Sequence, residues 1–142
     1  MKKIKLFLGS LILLLGQNII AQNFSSNERR ETVEKILNTA INSLPFDSVY
    51  NQKRFCFLAN ELLTKNSQLI LKRKKCKVLI FERDKVKKLK KYVVLGDFTL
   101  NWNNPIVVRI QFEVMPDNRL LNISLEKVDE LWTIKDYLIL DN

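Results

Sequence analysis

The chain has 142 residues, 24 Lys plus Arg against 15 Asp plus Glu, a formal net charge of +9 at pH 7 and no histidine. Without an imidazole there is no Ser-His-Asp or Cys-His catalytic set, no common zinc site and no ordinary near-neutral proton shuttle. Three glycines leave no Gly-rich phosphate loop, so most hydrolase mechanisms are excluded, and no catalytic residue, metal site or cofactor is expected.

Residues 1–21 begin with Lys2, Lys3 and Lys5, continue through the apolar run Leu6 to Leu15, and close with Gln17, Asn18 and the small residue Ala21. That order is the pattern of a secretory signal, and its apolar centre is shorter than the roughly 18 residues of a spanning helix. Cleavage after Ala21 is expected, with Gln22 as the new N-terminus and the protein periplasmic or extracellular; an uncleaved anchor is the alternative. No cysteine precedes Cys56, so an N-terminal lipid-modified cysteine is not expected. No internal repeat or linker divides the rest, which reads as one α+β domain over residues 22–142.

Ser25 and Glu28 have capping-box spacing. Val33, Ile36, Leu37, Ala40, Ile41 and Leu44 then follow the i, i+3, i+4, i+7 rhythm of an amphipathic helix, with Pro45 as its stop and Arg30, Glu34, Lys35, Asn38 and Asn42 on a face expected to meet solvent. Residues 46–50 read as a connection. Phe55, Leu58, Ala59, Leu62 and Leu63 predict a second helix over about residues 51–64, ended by Asn66-Ser67. Short strands are expected at Gln68–Leu71 and Cys76–Phe81, whereas Arg83 to Lys91 shows no defined face.

The C-terminal half alternates with a period of two through four runs. Tyr92 to Trp102 carries Gly96 at its middle, which predicts a bulge or bend. In the next run Val108, Ile110, Phe112 and Val114 share a face. Met115-Pro116-Asp117-Asn118 is a turn, since Pro presets φ and Asp or Asn tolerates φ > 0. Leu121, Ile123 and Leu125 share a face of the third run, and Trp132, Ile134, Leu138 and Leu140 mark the last. Two N-terminal helices on a bent antiparallel sheet of four to six strands are therefore expected.

Two cysteines in an exported chain point to a Cys56–Cys76 disulfide, which would close a loop of about twenty residues and add roughly 3 kcal/mol. The alternative is two buried free thiols; a nucleophilic cysteine lacks a histidine base. The one compositional outlier is the window from residue 72 to residue 91. There Lys72, Arg73, Lys74, Lys75, Lys77, Arg83, Lys85, Lys87, Lys88, Lys90 and Lys91 stand against only Glu82 and Asp84. Lys72, Arg73, Lys74, Lys75, Lys85, Lys87, Lys88, Lys90 and Lys91 are the candidate anion-binding residues, suited to lipid headgroups or acidic glycans. With few interleaved aromatics, nucleic acid is not an expected partner. The competing reading is a set of solvated lysines that keep strand edges from aggregating.

The hairpin Arg119-Leu120-Leu121-Asn122-Ile123-Ser124-Leu125 then Leu131-Trp132-Thr133-Ile134-Lys135-Asp136-Tyr137, with its Trp-x-Ile-x-x-Tyr terminal strand, resembles the cone-shaped fold of the ketosteroid-isomerase-like and nuclear-transport-factor-like superfamily. Cystatin-like folds, a helix wrapped by a meander, are the competing resemblance. The superfamily resemblance implies helices closed over the sheet with a pocket between, for which Trp102 and Trp132 are candidate lining residues. The isomerase's Tyr/Asp constellation does not map onto this chain. The functional expectation is an exported, non-enzymatic domain that binds an unknown small ligand or protein. Two alternatives are a cone-fold enzyme with Asp97 or Asp136 as a buried carboxylate base, and a structural envelope protein or surface binder acting through residues 72–91.

Overall fold

A computed structural model describes residues 27–141, so the signal segment, its cleavage point and the Ser25 cap lie outside the described residues. In chain order the elements are α1 (Asn27–Ile41), α2 (Leu44–Val49), β1 (Cys56–Leu58), β2 (Lys72–Arg73), β3 (Cys76–Lys77), β4 (Leu79–Phe81), α3 (Arg83–Val86), β5 (Tyr92–Asn101), β6 (Val107–Met115), β7 (Arg119–Val128) and β8 (Leu131–Asp141). The class is α+β, with a six-stranded sheet ordered β4-β1-β5-β6-β7-β8 and a separate β2–β3 ribbon. Strands β5 to β8 form the expected antiparallel meander, but the expected face of β8 holds only for Trp132 and Ile134: beyond a register shift Ile139 packs against the core and Leu138 and Leu140 are exposed. The other end of the sheet is parallel, because β1 runs alongside both β4 and β5.

The bulge foreseen at Gly96 is present, and it shows why the strand carries apolar residues on both parities. Leu95 faces Phe112 and Asp97 faces Gln111, leaving Gly96 as the extra residue. The slip brings Val93 and Leu95 before it, and Phe98 and Leu100 after it, opposite the inner row Val114, Phe112, Ile110 and Val108. A Cβ on Gly96 would lie 2.8 Å from Gln111 Oε1, whose side-chain amide donates to Asn122 Oδ1 at 3.1 Å on the outer face. A second register shift opposite Ser124 and Leu125 leaves Lys135 of β8 without a partner. Local bending at two points lets one face of the sheet stay in register with the core.

Helices α1 and α2 cover that face. Val33, Ile36, Leu37, Ala40 and Ile41 of α1, with Phe46 and Val49 of α2, share one buried cluster with the inner residues of β5, β6 and β7. An aromatic group fills the space beneath α2, with Phe46 edge-on to Phe112 and Phe55 edge-on to Phe57, at centroid separations of 5.3 and 5.2 Å. Pro45 does not simply stop α1. It occupies the first turn of α2, where a missing N–H costs nothing, and Ser43 caps that helix by accepting from the Phe46 N–H.

The second helix expected at residues 51–64 does not form. Phe55 and Phe57 turn inward with the period of a strand, β1 occupies Cys56–Leu58, and Asn60 closes the following loop. Its Oδ1 accepts from the backbone of Leu62 and Leu63 at 3.1 and 2.9 Å, and its Nδ2 donates to the Leu95 carbonyl at 2.8 Å. Among residues 83–91, Val86 anchors the one-turn helix α3 by its burial.

The polar face of α1 is not simply wet. Asn38 donates to the Ile70 carbonyl and accepts from the Lys72 N–H, at 3.0 and 2.9 Å. One turn later Asn42 donates to the Lys72 carbonyl and accepts from the Lys74 N–H, at 2.7 and 2.9 Å. Glu34 accepts from the Ile70 N–H at 3.0 Å. Four helical residues advance about 6 Å and two extended residues about 6.6 Å, so side chains at i and i+4 can meet backbone groups at j and j+2. Residues 68–71 therefore run beside a helix instead of forming the expected strand; only Lys72–Arg73 pairs, with Cys76–Lys77.

Arg73 closes the arrangement. Its side chain is wholly buried, and its guanidinium donates to the carbonyls of Ile41 and Tyr50 at 2.5 Å each and to that of Gln52 at 2.9 Å. It lies 4.9 Å from the Phe46 ring centroid. Asp47 Oδ1 makes no aligned hydrogen bond and is held by charge, 2.7 Å from Arg73 and 3.3 Å from Lys74. The last turn of α1 has no basic residue of its own, so Arg73 supplies the positive charge that its exposed carbonyls favour. Removing one member of such a set strands the others in a dry site. Arg73→Met is expected to lower the unfolding free energy in urea titrations by about 3 to 5 kcal/mol, and Arg73→Lys to recover only part of it because one ammonium cannot reproduce the fork.

Candidate anion-binding groove

The β2–β3 ribbon reverses through Lys74 and Lys75, with φ of 48° and 69°. Arg73 faces Cys76 across this two-residue turn, and positive φ at both central residues is usual for Asn-Gly but costly for lysines. Arg73, the Asn42–Lys74 bond and the Lys74–Asp47 contact hold that conformation from below. As a result Lys75, Cys76 and Lys77 are presented to a groove of about 810 Å³.

Five chain segments line the groove. Tyr50, Gln52, Arg54, Phe55 and Cys56 come from the passage between α2 and β1, and Lys75, Cys76 and Lys77 from the ribbon. Leu79 and Phe81 come from β4, Leu89, Lys90 and Lys91 from the segment after α3, and Pro116 and Asp117 from the β6–β7 turn. In that turn Asn118 takes φ of 54°, as its composition predicts. Lys91 is engaged, 3.1 Å from Asp117 and 5.7 Å from the Tyr50 ring centroid. Among the described residues Arg54, Lys75, Lys77 and Lys90 make no ion pair. Four unneutralised cations with one neutralised pair focus a positive field into a partly apolar concavity.

The two thiols line the groove as well, but they are free and not at disulfide distance. The expected bridge is thereby corrected: Cys56 is fixed on β1 opposite Leu79, whereas Cys76 belongs to the separate ribbon opposite Arg73. Burial pushes the Cys56 thiol above its ordinary 9.0. The Tyr50 phenol is raised above 10.0, first by burial and then by neighbouring Cys56, with Arg73 opposing; its hydroxyl donates to the Arg54 carbonyl at 2.9 Å. Both groups are neutral near neutral pH, so the groove's charge comes from its lysines and arginine.

Of the candidate anion-binding residues, the groove gathers Lys75, Lys90 and Lys91 and adds Arg54 and Lys77. Arg73 leaves the set because it is buried and fully used by the fold. Lys72, Lys74, Lys85, Lys87 and Lys88 are exposed but do not line it. Trp102 is exposed in the β5–β6 connection and Trp132 packs against the core; neither lines the groove, which lies at the opposite end of the sheet order from β8. Asp97 and Asp136 are exposed and also outside it, so neither meets the buried-base requirement. Arg54 escapes sequence reading because it precedes the basic window by almost twenty residues and joins it only through parallel pairing of β1 with β4. Among the described residues no group of three His, Cys, Asp or Glu side chains converges, and no helix is long and apolar enough to cross a membrane.

The raised thiol and phenol have a thermodynamic consequence. Each holds its proton more tightly folded than unfolded, so their contribution to stability is complete below the unfolded values near 9 and 10 and drains away as pH rises through the folded ones. Urea midpoints are expected to hold up to about pH 9 and to fall from there through about pH 11, and to fall less in Cys56→Ala. Comparison with known proteins returned no match: no family model fits the chain, and no curated protein or solved structure shows significant similarity to it.

Proposed function

We propose that the protein is an exported, non-enzymatic binding domain whose contact surface is the groove between β1, the β2–β3 ribbon, β4 and the segment after α3. The observation that carries this reading is the convergence of Arg54, Lys75, Lys77 and Lys90, none of them ion-paired among the described residues, on a concavity of about 810 Å³. That volume falls in the range of small-ligand sites. The backbone strain at Lys74 and Lys75 adds support, since conformations of this kind persist where the surroundings impose them and cluster at ligand clamps. Export rests on the tripartite composition of residues 1–21. The cone-like family reading rests on helices packed over one face of a bent sheet and on the terminal hairpin.

The ligand chemistry favoured is anionic, because binding an oxyanion satisfies cations that otherwise face only water. Heparin serves as a generic polyanion. Lys75→Glu combined with Lys90→Glu is expected to weaken retention of the purified protein on heparin resin by about tenfold in affinity, from two reversed charges worth about 0.7 kcal/mol apiece. Lys87→Glu with Lys88→Glu, equal in charge change but outside the groove, is expected to weaken it less. Equal loss in both pairs would assign the effect to the protein's general field and overturn the groove as the site.

A further inference from the structure

We infer that the groove takes a single-chain amphiphilic anion, an oxyanion head on an alkyl or acyl tail, bound as a monomer. This rests on the groove being the binding surface. A site for a purely hydrophilic anion has no use for apolar lining, and this one has Phe55, Leu79, Phe81, Leu89 and Pro116 beside its cations. Two of these are poorly covered: Leu79 is 42% and Leu89 40% exposed. Their positions follow from the strand and turn that carry them. In β4 the alternation sends Ile80 against the core and leaves Leu79 and Phe81 on the other parity, opposite Cys56 and Leu58. After α3, burial of Val86 fixes the turn, and Leu89 three residues on remains outside the core.

Charge complementarity chooses the head, and the apolar lining chooses the tail. Contiguous apolar surface rimmed by charge marks a place where something apolar is covered in use. The concavity favours one molecule over a flat bilayer, because lining residues come from the ribbon on one hand and from residues 89–91 and 116–117 on the other. Cys56 is protonated and buried, so it belongs with the apolar part of the lining.

Calorimetric titration of the purified protein with hexanoate, octanoate, decanoate and dodecanoate below their micelle concentrations tests this directly. Affinity is expected to rise about fourfold per added methylene until the groove is filled, with acetate and dodecanol both weak. Leu79→Asn and Leu89→Asn, which keep the charge and replace exposed side chains, should each cost dodecanoate about tenfold while leaving heparin retention within about twofold. Lys75→Glu with Lys90→Glu should lose both ligands. Chain-length-independent affinity, or binding to anionic vesicles with none to monomers, would overturn the amphiphile while leaving an anion-binding groove standing. Insensitivity of heparin retention to the lysine pair would instead remove the groove reading itself.

Discussion

A single guanidinium holds the groove side of this molecule in shape. Arg73 is the only charged side chain in the buried set among the described residues. It binds the carbonyl at the end of α1, the one that follows α2, and the one at Gln52 on the way into β1. Three carbonyl oxygens from two stretches of chain, the end of α1 and the passage from α2 into β1, converge on one donor fork. Taking a charge out of water is expensive unless its hydrogen bonds and a counter-charge are restored, and here Asp47 and the Phe46 ring supply the remainder. Since Arg73 also precedes the Lys74-Lys75 turn, the same contact that joins the two helices sets where the ribbon ends.

The sheet provides the other fixed reference. Its inner face is apolar across β5, β6 and β7, and helices α1 and α2 rest on it. The parallel edge β4-β1-β5 brings residues 54–56, 79–81 and 89–91 to one place although they are far apart in sequence.

Reading the sequence recovers what is local and periodic. The four long strands, the Gly96 bulge and the Asn118 turn are visible because alternation, a glycine at mid-strand and Pro-Asp-Asn chemistry act within a few residues. The region from residue 44 to residue 91 is less legible for physical reasons that differ by residue. Leu58, Ala59, Leu62 and Leu63 imitate a helical stripe, but Asn60 bonds its own loop and the Leu95 carbonyl instead. Pro45 ends one helix pattern in sequence while opening another in space. Arg73 looks like any member of a lysine run, and only its neighbours in three dimensions separate it from Lys72 and Lys74. Polar residues on α1 read as a wet face because periodicity records hydrophobicity and cannot record which backbone a carboxamide will meet.

That last point bears on how the ribbon keeps its register. Asn38 and Asn42 each offer one donor and one acceptor to it, the same complement as a peptide group, so to the extended residues 70–73 the helix resembles a neighbouring strand. Sliding the extended chain by one residue would point N–H at N–H and oxygen at oxygen. Sliding it by two would restore pairing but drag Arg73 out of its socket. The carboxamides act as teeth and the arginine as a pawl, so the Lys74-Lys75 turn can occupy one position along α1 and no other.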